Sequence, residues 1–256
     1  MTVSLDHLGE NVVTREDAAR ARASYTEALD RIAAEGVEGN VSLKLTHLGL
    51  DLGGEFCAEQ LRMVTSRANE LGNFVRVDME SSAYTDRTLR MVKQSRAETS
   101  AVGTVIQAYL YRSEEDIRDL LGIGCRIRLV KGAYKEPSRI AFPNKKDVDA
   151  NFIKLMKILI SSETYNALAT HDPKMIDAAT QFAAEQNISK DKFEFQMLYG
   201  IRTDLQSSLV RRGYRVRVYI PFGQDWFPYF MRRLAERPAN LIFFAKNFFR
   251  GGAPSA

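Results

Sequence analysis

The chain has 256 residues, 45% of them hydrophobic and 27% charged, a composition that argues against disorder, collagen and coiled coil. Its 36 basic residues exceed the 32 acidic ones by only four, with no charged run or tail, which speaks against a nucleic-acid surface and equally suits a basic pocket for a small anion. A chain this long buries roughly three quarters of its unfolded surface, so its core requires neither disulfides nor a structural metal. Eight β-rich runs then follow in order: VSLDHL from Val3, VSLKLT from Val41, FVRVDM from Phe74, TVIQAY from Thr104, RIRLVK from Arg126, NALATH from Asn166, FEFQML from Phe193 and RVRVYI from Arg215. Stretches with helical spacing and start signals separate them. Thr14 precedes EDAARARASYTEALDRIAAE, Ser113 with Asp116 precedes IRDLL, and Asp172 with Pro173 supplies a cap and first turn.

Eight strand–helix units in about 250 residues predict a (β/α)₈ barrel of the TIM type, since a doubly wound open sheet usually has fewer strands. No repeat or Pro/Gly/Ser linker divides the chain, so residues 1–256 are expected to form one domain, with only the extreme amino terminus and GGAPSA loose. The first strand begins almost at Met1, which is expected to leave no helix plugging the bottom of the barrel. DWFPYFMRRLAERP, behind the eighth strand, reads as a helix whose first turns overhang the barrel mouth.

Polar side chains occupy alternate positions near the carboxyl ends of the runs: Lys44, Asp78, Gln107, Arg128, Gln196 and Tyr219. Period two puts each set on one face, and in a (β/α)₈ barrel that end of the strands is where a site assembles. The alternative is surface polarity on an antiparallel sheet, for which the intervening helices leave little exposed area. Lys44 reads as a mid-strand ammonium that needs an anion beside it, either Asp78 in a structural pair or a substrate carboxylate. Arg128 and Lys131 in RLVKGAY pose the same choice, and Gly132 would let a cofactor approach the backbone. Arg232 and Arg233, with Glu236 one turn on, form either a carboxylate or phosphate clamp or a solvated helical face.

Other signatures fail in context. GIGCRI from Gly122 lacks the third glycine of a dinucleotide fingerprint and precedes a strand, so it reads as a turn. No P-loop, HExxH helix or GxSxG elbow occurs, and His7, His47 and His171 have no metal-ligand spacing. Cys57 and Cys125 stand alone, which suits a reducing, cytoplasmic setting. Nowhere do eighteen apolar residues run together and Met1 leads into an acid-containing segment, so neither a transmembrane helix nor a signal peptide is predicted; peripheral contact with the inner face of a membrane stays compatible with the sequence.

Taken together, RLVKGAY, VSLKLT, VRVDME, VIQAYLYR, ATHD, FEFQMLYG and YIPFG…YFMRRLAERP resemble the flavin-dependent proline dehydrogenase family, in particular its monofunctional bacterial type, over almost the whole chain. The resemblance implies a (β/α)₈ barrel that holds FAD and oxidises L-proline to Δ1-pyrroline-5-carboxylate by hydride transfer to flavin N5, the first step towards glutamate, with electrons passed to a quinone. By matching motif it implies that Lys44, Arg232 and Arg233 bind the proline carboxylate, while Ala133, Tyr134, Leu198, Tyr219 and Tyr229 shape the pocket around the ring. Asp78 and Arg128 match the catalytic pair. Met79, Gln107 and Arg128 would contact the isoalloxazine, and Lys131, Gly132, Ala133, Thr170, His171 and Gln196 the rest of FAD. Glu10 in DHLGE looks like the acid of a gate that closes by pairing with Arg232. Relatives of this type carry helices before the first strand, and bifunctional relatives add an aldehyde dehydrogenase domain. This sequence shows neither, so its product is expected to pass to a separate pyrroline-5-carboxylate dehydrogenase. A Schiff-base aldolase using Lys44 or Lys131 and a non-catalytic amino-acid-binding barrel are the competing readings, and a bound-flavin spectrum separates them from a dehydrogenase.

Overall fold

A computed structural model describes residues 1–223 of the chain. In chain order its elements are β1 (Thr2–His7), α1 (Arg15–Ala34), β2 (Gly39–Leu43), α2 (Gly54–Glu70), β3 (Val75–Val77), α3 (Ser82–Glu98), β4 (Val102–Gln107), α4 (Ser113–Gly122), β5 (Arg126–Val130), α5 (Lys145–Ile160), β6 (Asn166–Ala169), α6 (Pro173–Glu185), β7 (Phe193–Leu198), α7 (Thr203–Arg211) and β8 (Arg215–Phe222). All eight expected runs form strands, and they close in sequence order into a parallel barrel, sealed by β8 against β1 with Leu5 opposite Ile220. The expected helix over the mouth, with Tyr229, Arg232, Arg233 and Glu236, lies outside the described residues.

Alternation along the strands explains the two-layer construction. Val41, Leu43, Val75, Val77, Ile127 and Leu129 face outward and are fully buried against the helices. Their alternates, Ser42, Arg76 and Arg128, are buried polar groups of the barrel interior. Helix α1 brings Tyr25, Leu29 and Ile32 to the strands at helical spacing, and the Thr14 side chain caps it by accepting from the Asp17 N–H at 3.1 Å. Asp172 caps α6 by accepting from the Lys174 N–H, with Pro173 in the first turn.

Ser113 behaves differently from the sequence expectation. It is the first residue of α4 rather than its cap, and its buried hydroxyl donates to the Gln107 carbonyl at 2.5 Å, tying the helix to β4, while Asp116 accepts from Arg112. GIGCRI is the turn it was expected to be: Gly124 adopts φ +65° between α4 and β5.

At the amino-terminal end of the strands a cavity of about 440 Å³ is lined by Asn40, Arg76, Arg126, Glu194 and Arg217 among others. Arg217 donates to Glu194 at 2.8 Å, to the Val3 carbonyl at 2.7 Å and to Asn40 at 2.9 Å, joining four strands. Among the described residues no helix is long and apolar enough to cross a membrane.

Candidate active site

The opposite end of the barrel gathers the alternating polar residues. Arg128, on β5 and buried, directs its guanidinium to three strands: to Gln196 of β7 at 2.5 Å, to Asp78 just past β3 at 2.7 Å and to Ser42 of β2 at 2.9 Å. Asp78 also accepts from the Tyr219 hydroxyl of β8 at 3.1 Å, and the Arg128 guanidinium lies 5.3 Å from the Tyr219 ring. The expected pair of Asp78 and Arg128 is therefore in direct contact. It is a desolvated, multiply bonded ion pair rather than a surface one, with side-chain exposures of 6% and 15%.

Lys44 departs from the reading of a mid-strand residue paired with Asp78. Strand β2 ends at Leu43, whose carbonyl accepts from the Asp78 N–H, and the chain turns at Lys44, whose own carbonyl accepts from His47. Lys44 thus stands at the lip of the barrel, where its ammonium lies 3.7 Å from Glu10, three residues beyond β1. Burial works against its charge, yet Asp6, Asp78, Glu10 and Glu80 together raise its pKa above the ordinary lysine value. Glu10 is thereby placed beside the proposed carboxylate anchor, while its expected partner Arg232 lies outside the described residues.

Asp6 and Glu80 belong to this cluster and escaped the sequence reading. Burial pushes the Asp6 carboxyl up to about 7 against the pull of Lys44. Glu80 accepts from the Thr46 N–H at 3.2 Å and the Thr46 hydroxyl at 2.6 Å, and burial raises its pKa. Period two from Ser4, whose hydroxyl meets that of Ser42 at 3.1 Å inside the barrel, was the available signal for Asp6. Glu80 follows the strand in VRVDME and had no such pattern.

The ends of β4 to β7 supply a different set. Gln107 donates to the Glu80 carbonyl oxygen at 3.0 Å beside the buried Met79. His171 accepts from the Leu198 N–H at 2.9 Å, and the Thr170 hydroxyl oxygen accepts from the Asp172 N–H at 3.1 Å. Lys131 is held between Asp149 at 2.5 Å and Asp172 at 2.6 Å. Gly132 adopts φ +121°, and a Cβ there would stand 2.6 Å from the Tyr109 ring, so only glycine lets the backbone lie this close. The loop continues through exposed Ala133 and half-buried Tyr134. Amide, guanidinium, imidazole and hydroxyl groups from four successive strand ends, around a glycine cradle, suit a large polar cofactor with carbonyl and phosphate oxygens. Among the described residues no group of three or more His, Cys, Asp or Glu side chains could hold a metal ion.

Comparison with known proteins agrees with this architecture. The sequence model of the family described as proline dehydrogenase matches residues 1–246. Proline dehydrogenase 2 of Bacillus subtilis (strain 168) is 46% identical over 243 residues, covering 95% of this chain and 80% of that protein. Proline dehydrogenase of Deinococcus radiodurans is 40% identical over 253 residues, covering 97% and 82%. Among solved structures, proline utilization A from Bdellovibrio bacteriovorus, inactivated by N-propargylglycine, superposes with a TM-score of 0.85 at 29% identity, over 91% of this chain. The chain spans 30% of the length of that larger protein.

Proposed function

The chain belongs to the proline dehydrogenase family, and from that premise we propose that it oxidises L-proline to Δ1-pyrroline-5-carboxylate at the carboxyl ends of its barrel strands, with bound FAD and a quinone as successive electron acceptors. The observation that supports this most is the Arg128–Asp78 pair, tied to Tyr219, whose Asp78 helps to keep Lys44 charged. FAD, when bound, supplies the hydride acceptor, and the protein's own task is to hold and orient the two reactants. In the product the double bond lies between nitrogen and the ring carbon away from the carboxylate, so anchoring the carboxylate decides which carbon is presented. Lys44, with Arg232 and Arg233, is the proposed anchor, and Ala133, Tyr134, Leu198, Tyr219 and Tyr229 the proposed ring pocket.

Arg128 places a positive charge where negative charge develops during the reaction, and Asp78 with Gln196 and Ser42 fixes its direction. Met79, Gln107, Arg128, Lys131, Gly132, Ala133, Thr170, His171 and Gln196 would hold the cofactor. Glu10, by exchanging Lys44 for Arg232, would close a gate over the substrate. Residues 1–256 would then act as one FAD-binding domain that meets quinone by peripheral contact at the inner face of a membrane and passes its product to a separate pyrroline-5-carboxylate dehydrogenase. Nothing in the described residues favours a Schiff-base aldolase: carboxylates keep Lys44 charged, and two more clamp Lys131.

Proline-dependent reduction of an artificial acceptor by the purified protein, together with its visible spectrum, tests the proposal. Flavin absorption that bleaches with proline is the expected result. A colourless preparation that cannot be reconstituted with FAD, or a flavin that proline leaves oxidised, would overturn it.

A further inference from the structure

Helix α3 lacks the start signals that the other helices carry. Its N-cap, Ser81, makes no side-chain capping bond, and no acidic residue occupies its first turn. Among the other described helices, α1, α2, α4, α5 and α7 have an acid of their own in the first turn, and α6 has the Asp172 cap. The first N–H groups of a helix need acceptors, and its positive end favours a carboxylate. For α3 both needs are met by Glu136, 54 residues away on the loop between β5 and α5. One carboxylate oxygen accepts from the Ser82 N–H at 2.7 Å and the other from the Ser82 hydroxyl at 2.5 Å. Pro137 biases Glu136 towards extended backbone, which limits the freedom lost in making the contact.

The two segments joined in this way carry the proposed chemistry. Ser82 follows Asp78 and Met79 in the chain, and Glu136 follows Arg128 and the Gly132, Ala133, Tyr134 stretch. The Arg128–Asp78 ion pair already joins β5 to the end of β3 inside the barrel at 2.7 Å, so the Glu136 contact is a second tie between the same two segments. Elsewhere the loop is bound to the turn after β4. The Tyr109 N–H donates to the Lys131 carbonyl at 2.9 Å, the Tyr109 carbonyl accepts from the Phe142 N–H at 2.8 Å, and the Tyr111 hydroxyl donates to the Ser138 carbonyl at 2.8 Å. Those bonds fix the two ends of the loop, and Glu136 fixes the stretch between them that begins at the positive-φ Gly132. We propose that Glu136 is a positioning residue for cofactor and substrate: by capping α3 from the loop after β5, it sets where Gly132, Ala133 and Tyr134 stand relative to Asp78 and Met79. The inference rests on the reading of those residues as cofactor and ring contacts. A cap that served α3 alone is available from neighbours in the chain, as Thr14 and Asp172 are for α1 and α6.

The contact can be cut from either side. Ser82→Pro removes both donors yet keeps the helix start, because proline is favoured at the first helical position and Ser81 before it is already extended, with ψ 163°. Glu136→Ala removes the acceptor. In each variant the FAD dissociation constant, read by fluorescence titration, should rise on the order of tenfold, and the KM for proline should rise by more than kcat falls. The visible circular dichroism of the bound flavin should change with them, while the unfolding midpoint of Ser82→Pro at saturating FAD stays near that of wild type. The double variant should be no worse than either single, because both remove one contact. Unchanged FAD affinity and KM in Ser82→Pro overturn the proposal, since capping α3 would then be all that Glu136 does. Losses that multiply in the double variant overturn it as well. Should Glu136→Ala not fold, Ser82→Pro decides alone, and failure of both to fold overturns the proposal by making the contact a requirement of folding. A wild type that binds no FAD overturns the reading of the site and this proposal with it. A wild type that binds FAD and oxidises proline, beside variants that do so equally well, overturns this proposal only.

Discussion

Arg128 shows how much one side chain can be asked to do. It spends its guanidinium on Asp78, Gln196 and Ser42, so its position is set by three strands other than its own. Arg128→Met should keep the barrel but slow flavin reduction by proline and make the flavin harder to reduce, because the charge beside the developing anion is lost. Stopped-flow reduction and potentiometry measure both, and an unchanged rate with an unchanged potential would make the arginine structural. Two neighbouring groups impose opposite pH dependences on stability. Asp6 is raised from 3.8 to about 7 by burial, so the stability associated with its neutral form is complete below its unfolded value and is lost as pH rises through 7. His47 is lowered from 6.5 to about 4, by burial first and then by His7, so its contribution is complete above 6.5 and is lost as pH falls through 4. Between those limits the two offset each other. Asp6→Asn removes one of them: it should be more stable than wild type at pH 8 by up to about 4 kcal/mol, and should lose stability more steeply than wild type on acidification. Denaturant titrations across pH check this, and parallel profiles for the two proteins would refute it.

Individual elements were readable to different depths. Thr14 and Asp172 cap α1 and α6 as their sequence positions imply, because a cap is a contact between neighbours in the chain. Thr14→Ala should therefore cost about 1 kcal/mol in chemical denaturation without changing activity. Ser113 had the same local signature, yet its hydroxyl goes to the Gln107 carbonyl, a choice made by burial against β4. The loop after β5 is set by Gly132, and here both backbone and packing exclude a side chain. Gly132→Ala brings φ +121° strain as well as a clash with Tyr109, and should cost roughly 1–3 kcal/mol while lowering the flavin content of the purified protein. Thermal unfolding together with flavin quantitation tests it. Recovery of both in Gly132→Ala combined with Tyr109→Ala would show that the clash, not the backbone, was limiting.

Across the whole molecule the barrel interior is one polar network rather than an apolar plug. From the mouth, Asp78 binds Arg128, Arg128 binds Gln196, Gln196 donates to Glu194 at 2.5 Å, and Glu194 receives Arg217 at the far end. Arg76 adds bonds to the Thr104 and Arg126 carbonyls, and burial lowers its pKa to about 9. Cutting such a network at one member leaves its partner charged and buried. Glu194→Ala should destabilise by on the order of 3–5 kcal/mol, and adding Arg217→Leu should restore part of that loss instead of deepening it. Equilibrium unfolding of the two singles and the double measures the coupling, and strictly additive losses would mean that the two charges do not interact. Since the same chain of bonds holds Arg128, the Glu194 variant should also slow proline oxidation although it lies at the other end of the barrel.

The order of eight strands, the barrel and the polar residues near the strand ends were legible in the sequence, because periodicity two and the alternation of strand with helix are properties of contiguous residues. Asp78, Arg128, Gln107 and Gln196 could be singled out for the same reason. Their partners could not. That Lys44 sits at the lip within reach of Glu10 rather than mid-strand, and that Lys131 lies between Asp149 and Asp172, depend on contacts between segments tens of residues apart. A charged side chain inside a barrel takes whichever counter-charge the strand register brings within reach. That register is fixed only when the sheet closes and β8 meets β1.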